Sequence, residues 1–222
     1  MSIEATLREI ERRAAEPTAR SATLPPGVAT SYRPIKLPLN YNTETDHQKL
    51  AYNATQMWLN DIIHNFKERS RWLILYGAPG AGKTHLLNAA AAILNEFRRK
   101  TLTKRAADMA TTVRDGNTYS LHNIWATAPI LAIDDFGSEY HTEYITSMWF
   151  DLLDTRIGNN PSQPAYSTTP MWTIITTNLT PKQIETRYDK RIASRFLDSR
   201  HTLIDLTGAE DYRQTFEHIA DF

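Results

Sequence analysis

The sequence predicts a parallel α/β sheet flanked by helices, and three observations carry that reading. The runs "RWLILYG", "APILAIDD" and "MWTIITTN" are apolar almost throughout, as expected of strands buried on both faces of a parallel sheet. Segments with helical periodicity alternate with them. Between the first run and the helix after it lies "GAPGAGKT", residues 77 to 84, a glycine-rich turn at a strand-to-helix junction.

Length and composition bound the rest. A chain of 222 residues with a 41% hydrophobic fraction suits one domain with an arm. We expect an arm over residues 1–40 and the sheet domain over 41–222. Formal net charge is zero, so any nucleic-acid binding must come from a local patch. Absence of cysteine excludes disulfides and thiolate metal sites. The seven histidines show no metal-ligand spacing. No apolar run approaches the roughly 18 residues of a membrane span, and the N-terminus lacks a secretory apolar region. The expectation is a soluble, cytoplasmic protein with no membrane partner.

Along the chain, Ile3, Leu7 and Ile10 line one face of a short helix over 3–16 that Pro17 ends. This helix either folds back onto the body or docks a partner. "TARSATLPPGVATSYRPIKLPLN" follows, with four prolines, and reads as a linker. "TDHQKLAYNATQMWLNDIIHNF" has helical spacing through Leu50, Met57, Ile62 and Phe66. After the first strand, "THLLNAAAAILNEFRR" is a helix, "KTLTKRA" a weak strand and "ADMATTVRDG" a helix. The strand "APILAIDD" leads to the helix "TEYITSMWFDLLDTRIGN", stopped at Gly158 and Asn159. "NPSQPAYSTTP" is a loop, "MWTIITTN" a strand, "TPKQIETRYDKRIASRFLD" a helical segment and "RHTLIDL" the last strand.

"GAPGAGKT" matches G-x-x-x-x-G-K-[ST] in full, between the strand and the helix that the motif requires. Gly77, Gly80 and Gly82 permit backbone conformations that a side chain would block. Successive backbone N–H groups of Gly77, Ala78, Gly80, Ala81, Gly82, Lys83, Thr84 and His85, with Pro79 shaping the loop between them, then curl around phosphate, aided by the helix N-terminus. Lys83 would reach the β- and γ-phosphates of ATP, and the Thr84 hydroxyl would ligate Mg²⁺. A glycine-rich turn with no ligand is the alternative, and the context on both sides weighs against it.

Asp134 and Asp135 stand where a buried strand emerges at its carboxyl end, the edge at which open parallel sheets bind ligands. We assign Asp134 to the metal and Asp135 to the attacking water, with Glu139 as a weaker positioning candidate. "TIITTN" ends its strand in three polar residues. Asn178 is the candidate contact to the γ-phosphate or the water, and Thr176 and Thr177 are lesser ones. Alone, Asn178 would read as a cap or turn residue.

Two basic stretches remain. "NEFRRKTLTKRAAD" groups Arg98, Arg99, Lys100, Lys104 and Arg105 against Glu96. It is either a solvated helix end or a strip that neutralises single-stranded DNA phosphates without reading bases. "DKRIASRFLD" sets Arg191 and Arg195 four residues apart on a short amphipathic helix.

Taken in order, "WLILYGAPGAGKTHLLNAAA", "LAIDDFGSE", "TIITTNLTPKQI" and "RYDKRIASRFLD" resemble AAA+ ATPases, and most of all the DnaC/DnaI-type replicative helicase loaders and the related IstB transposition helper ATPases. The resemblance spans about residues 45–213. It implies a P-loop NTPase of the AAA+ ASCE type with strand order 5-1-4-3-2, Gly77 to Thr84 as Walker A, Asp134 and Asp135 as Walker B, and Asn178 as sensor 1. It also implies self-oligomers in which an arginine of the "R-x-x-S-R" segment reaches a neighbour's ATP, with Arg195 favoured over Arg191. The second Walker B acid is Asp135 where most AAA+ proteins have Glu, which suggests slow hydrolysis. The loop "GNNPSQPAYSTTP" is longer than the family leads one to expect, and there is no cysteine-rich zinc module. After "TLIDLTGAEDYRQTFEHIADF" no lid domain or DNA-binding helix-turn-helix is expected. Arg213 is a residual nucleotide contact or a surface arginine.

The expected function is an ATP-dependent loader that docks a DnaB-type replicative helicase through its N-terminal arm and delivers it to single-stranded DNA. An IstB-like helper and a nucleotide-gated module with negligible hydrolysis are the alternatives. A small-molecule P-loop kinase would not require "IITTN" or a trans arginine.

Overall fold

The computed structural model describes residues 37, 41, 43, 45–65, 72–116, 118–158, 171–209 and 211, with the side chains of 65 and 118–122 left aside. The expected helix over 3–16, the proline-rich arm apart from Leu37, Phe66, residues 159–170 of the long loop, and Arg213 lie outside the described residues.

Five strands form one parallel sheet: β1 (Trp72–Gly77), β2 (Thr101–Arg105), β3 (Ile130–Phe136), β4 (Trp172–Thr177) and β5 (Thr202–Leu206). Their order is β2-β3-β4-β1-β5, and every pairing is parallel. This is the 5-1-4-3-2 arrangement of an AAA+ P-loop sheet. Among the described residues seven helices flank the strands: α1 (Asp46–Asn65), α2 (Lys83–Glu96), α3 (Ala106–Arg114), α4 (Thr118–Thr127), α5 (Glu143–Ile157), α6 (Pro181–Arg187) and α7 (Lys190–Phe196).

Alternation along the strands divides the interior into two layers. Leu73 and Leu75 of β1 pack with Ile174, Ile204 and Leu206 against α1 and α2. Trp72 and Ile74 of the same strand face Leu131, Ile133 and Ile175 under α3 to α7. The central strands β3, β1 and β4 are buried on both faces, whereas β2 is an edge strand with its last three residues exposed.

Three elements differ from the sequence reading. An additional helix, α4, stands between α3 and β3. The segment after β4 is two helices, not one. Thr180 caps α6 through a capping box, and Asp189 opens α7 by accepting from Ile192 N–H. In α1 the inward face runs through Leu50, Ala51, Ala54, Trp58, Leu59 and Ile62. Met57 is only half-buried because the bulkier Trp58 takes the core position, edge-on to Trp172.

Candidate active site

The site is assembled at the carboxyl edge of β1, β3 and β4. Where β1 ends, Gly77 has φ +142°, and a Cβ there would meet the Leu206 carbonyl carbon at 2.3 Å. No L side chain fits a position that is both strained and closed by backbone. Gly82, with φ 82°, caps α2 in the left-handed region. Lys83 is buried, and its Nζ donates to the carbonyls of Gly77 (2.9 Å) and Ala78 (2.7 Å). The loop therefore curls around its own lysine. Asp211 lies over Gly80, its Oδ1 1.7 Å from where a Cβ would stand.

Strand β3 delivers the two acids. Asp134 is buried, and its Oδ1 accepts from Thr84 Oγ1 at 2.9 Å and from Thr176 Oγ1 at 2.6 Å. Three separate elements thus converge on one carboxylate oxygen. Asp135 follows with φ 53°, an uncommon backbone region for a non-glycine residue. Its N–H donates to Thr176 Oγ1 at 2.9 Å, and its carbonyl accepts from Ser138 N–H at 3.0 Å. These bonds hold the turn and aim the Asp135 side chain, which is one-third exposed, away from the core. Arg105 approaches it, with Nη2 3.7 Å from Asp135 Oδ2.

The Thr84 hydroxyl and the Asp134 carboxylate are hard oxygen ligands side by side, which fits Mg²⁺. Among the described residues no group of three or more His, Cys, Asp or Glu could hold a metal. A metal here would therefore complete its shell with phosphate and water, as Mg²⁺ commonly does.

Asn178 stands exposed just beyond β4, while Thr176 makes the contacts to both acids. Thr177 Oγ1 donates to the Phe136 carbonyl at 2.6 Å and accepts from Leu179 N–H at 3.0 Å, which shapes the strand end. The basic strip does not form one cluster. Arg98, Arg99 and Lys100 precede β2, whereas Lys104 and Arg105 end it. The two groups are separated by a strand length of roughly 13 Å.

On α7 the two arginines face α5. Arg195 Nη2 donates to Asp154 Oδ1 at 2.6 Å, and that pair is largely shielded from solvent, with side-chain exposures of 25% and 16%. Arg191 is more open, at 63%, and turns back to Asp189 at 2.8 Å. Both guanidinium groups lie over the Phe150 ring, at 4.6 Å for Arg191 and 5.5 Å for Arg195. Phe150 and Asp154 are four apart on α5, as the arginines are on α7.

Sequence reasoning passed over Tyr41. Its ring packs over Gly82 and stacks on His85 at 6.0 Å, and its hydroxyl donates to the Ala81 carbonyl at 3.4 Å. Burial pushes its phenol pKa well above the ordinary value. A tyrosine in a proline-rich approach segment carries no local signal of such a contact.

The described geometry joins a phosphate loop, an acid pair on the adjacent strand and a polar strand end. A model of the bacterial DnaA ATPase domain matches residues 43–200. The chain belongs to this family. No curated protein sequence matches it. Solved structures similar to this DnaA-family domain include DnaI, at 18% identity and TM-score 0.61, over 78% of this chain and 88% of that one. The DnaC helicase loader is 21% identical with TM-score 0.55, over 70% of this chain and 89% of that one. The replication initiator DnaA bound to AMPPCP and single-stranded DNA is 19% identical with TM-score 0.54, over 68% of this chain. The present chain spans 45% of that initiator's length. Among the described residues of this family member, no helix is long and apolar enough to cross a membrane.

Proposed function

We propose that this member of the DnaA ATPase-domain family is an ATP-driven helicase loader whose nucleotide state controls its assembly. The observation that carries the reading is the junction of Thr84, Asp134 and Thr176, with Asp135 next to it, directly beyond the phosphate loop. Bound Mg²⁺ would neutralise phosphate charge between Thr84 and Asp134. Residues 77–85 other than Pro79 bind the phosphates through backbone N–H groups, and Lys83 leaves the carbonyls of Gly77 and Ala78 for them. Asp135 accepts a proton from water as its oxygen bonds to the γ-phosphorus and the bond to the ADP oxygen breaks. Asn178 orients that water or the γ-phosphate.

Arg191 and Arg195 serve a neighbouring subunit's ATP. Arg191 is the freer of the two, whereas Arg195 must first leave Asp154. ATP then favours assembly and hydrolysis releases it. A DnaB-type helicase docks on residues 1–40, and single-stranded DNA contacts Arg98, Arg99, Lys100, Lys104 and Arg105. Similarity to the DnaC helicase loader and to DnaI supports the loader reading. The ssDNA-bound initiator supports the DNA assignment, and its AMPPCP supports ATP as ligand.

A second reading has its own observation. Arg105 beside Asp135 opposes the proton-accepting role, which favours a nucleotide-gated module with negligible hydrolysis. An IstB-like transposition helper would use the same site and differ in its partner. Sizing chromatography of the chain with its replicative helicase, under ATP and under ADP, tests the loader reading. A complex whose stability depends on nucleotide is expected. No complex in either state overturns it, and capture of a transposase moves the chain to the helper class.

A further inference from the structure

Glu139 is 2% exposed and is used by no step above. Its Oε1 accepts from Trp149 Nε1 at 2.9 Å and from the Tyr188 hydroxyl. Its Oε2 accepts from Gly137 N–H at 3.0 Å, and its carbonyl accepts from Arg187 Nη2. Burying a carboxylate is costly unless several donors compensate it, and here the donors come from three different elements. One is the turn after β3, another is α5, and the third is the end of α6.

The two ends of this network bear on the site. Gly137 (φ +95°) belongs to the turn that holds Asp135 at φ 53°, so the bond from Gly137 to Glu139 helps fix that conformation. Tyr188 is the joint between α6 and α7, with φ −108° and ψ −85°, directly before the capping Asp189. Packing follows the same route. Phe136, next to Asp135, meets both Tyr188 (5.1 Å) and Phe196 of α7 (5.0 Å). A carboxylate is needed because both oxygens accept. An amide nitrogen at Oε2 would confront the Gly137 N–H.

We propose that Glu139 is a positioning residue that makes the Asp135 turn and the α6–α7 joint move as one unit. A protomer's nucleotide state is thereby reported to the arginines it presents to its neighbour. This rests on the nucleotide-site reading above and adds a route within the subunit. Such coupling requires an element that both ends bias. Asp135, held in a strained turn, and the Tyr188 joint supply those ends.

The test is amide hydrogen exchange of the full chain with and without AMPPCP and Mg²⁺, in wild type, Tyr188→Phe and Glu139→Gln. In wild type, nucleotide slows exchange both over residues 135–141 and over residues 189–197. The variants should bind AMPPCP within about threefold of wild type, protect residues 135–141, and lose the response over 189–197. Tyr188→Phe removes only the hydroxyl bond to Glu139 and keeps the ring on Phe136, so it isolates the carboxylate's part in the coupling and carries the test if Glu139→Gln fails to fold. A full response of α7 in Tyr188→Phe overturns the coupling, as does a wild-type α7 that ignores bound nucleotide. A wild type that does not bind AMPPCP is a different outcome, which refutes the nucleotide-site reading and this inference with it.

Discussion

The two edges of the sheet bury charge in opposite ways. At the amino edge, Arg156 is fully enclosed, and burial lowers its pKa to about 9. Its guanidinium donates to Thr173 Oγ1 (2.9 Å) and to the carbonyls of Trp125 (2.9 Å), Ala126 (3.4 Å), Ala128 (2.8 Å) and Trp172 (2.6 Å). All these acceptors are neutral and belong to α4, the strand approach and β4, and each of the three guanidinium nitrogens has a partner inside the fold. At the carboxyl edge, Asp134 receives both of its hydroxyl partners on one oxygen, and Asp135 remains one-third exposed. Asp134 and Asp135 thus keep acceptor capacity facing an open edge, whereas every nitrogen of Arg156 is engaged inside the fold.

Substitutions can break this contrast. Arg156→Met should cost about 4 kcal/mol, since it strands several buried carbonyls, while nucleotide affinity of the folded protein stays unchanged. Urea unfolding checks the first and calorimetry the second. Lys83→Ala should do the reverse, weakening ATP binding at least about a hundredfold with a small change in melting temperature. Next in size, Thr176→Val removes a donor to Asp134 and the acceptor for Asp135 N–H. Turnover should fall about tenfold with nucleotide affinity nearly kept, as steady-state kinetics beside a binding isotherm would show. If Thr176→Val instead lowers affinity and turnover equally, the acids serve binding alone.

The smallest effect belongs to the amino edge. His201 stacks on Trp72 at 4.3 Å, and burial lowers its pKa to about 4. The unfolded chain takes up that proton near pH 6.5. The stability present above this pH is therefore lost as pH falls from 6.5 toward 4. The unfolding free energy from urea titration should drop over that interval by less than about 2 kcal/mol, with solvent screening accounting for the modest size. In His201→Phe that component of the drop should vanish.

How much of this was legible in sequence depends on whether the cause is local. "GAPGAGKT" acts through backbone conformations of adjacent residues, and the burial of β1, β3 and β4 on both faces shows as a nearly continuous apolar run within each strand. Both could be read directly. Helix α4, "TYSLHNIWAT", is rich in polar, aromatic and β-branched residues with weak helical preference. The carbonyls of Trp125 and Ala126 near its end are held by Arg156, 31 and 30 positions away, and both residues pack into the core. Nothing within the segment announces either support. The precedence of Thr176 over Asn178 at the acids has a similar origin. It follows from β4 lying beside β3, a neighbour relation that a single strand does not reveal. The same holds for Arg195, whose acid partner Asp154 stands 41 residues earlier.

The central claim is a nucleotide site completed by a neighbour's arginine. It is tested most directly by mixing two variants, Asp135→Asn and the double variant Arg191→Ala/Arg195→Ala, each expected to be inactive alone in ATP turnover. In a mixed assembly, a subunit with an intact Asp135 can sit beside one with intact arginines. The account predicts that turnover reappears on mixing, at about a quarter of the wild-type rate for equal amounts. Mixtures that assemble yet stay inactive while wild type turns over, or a double arginine variant as active as wild type, would contradict it.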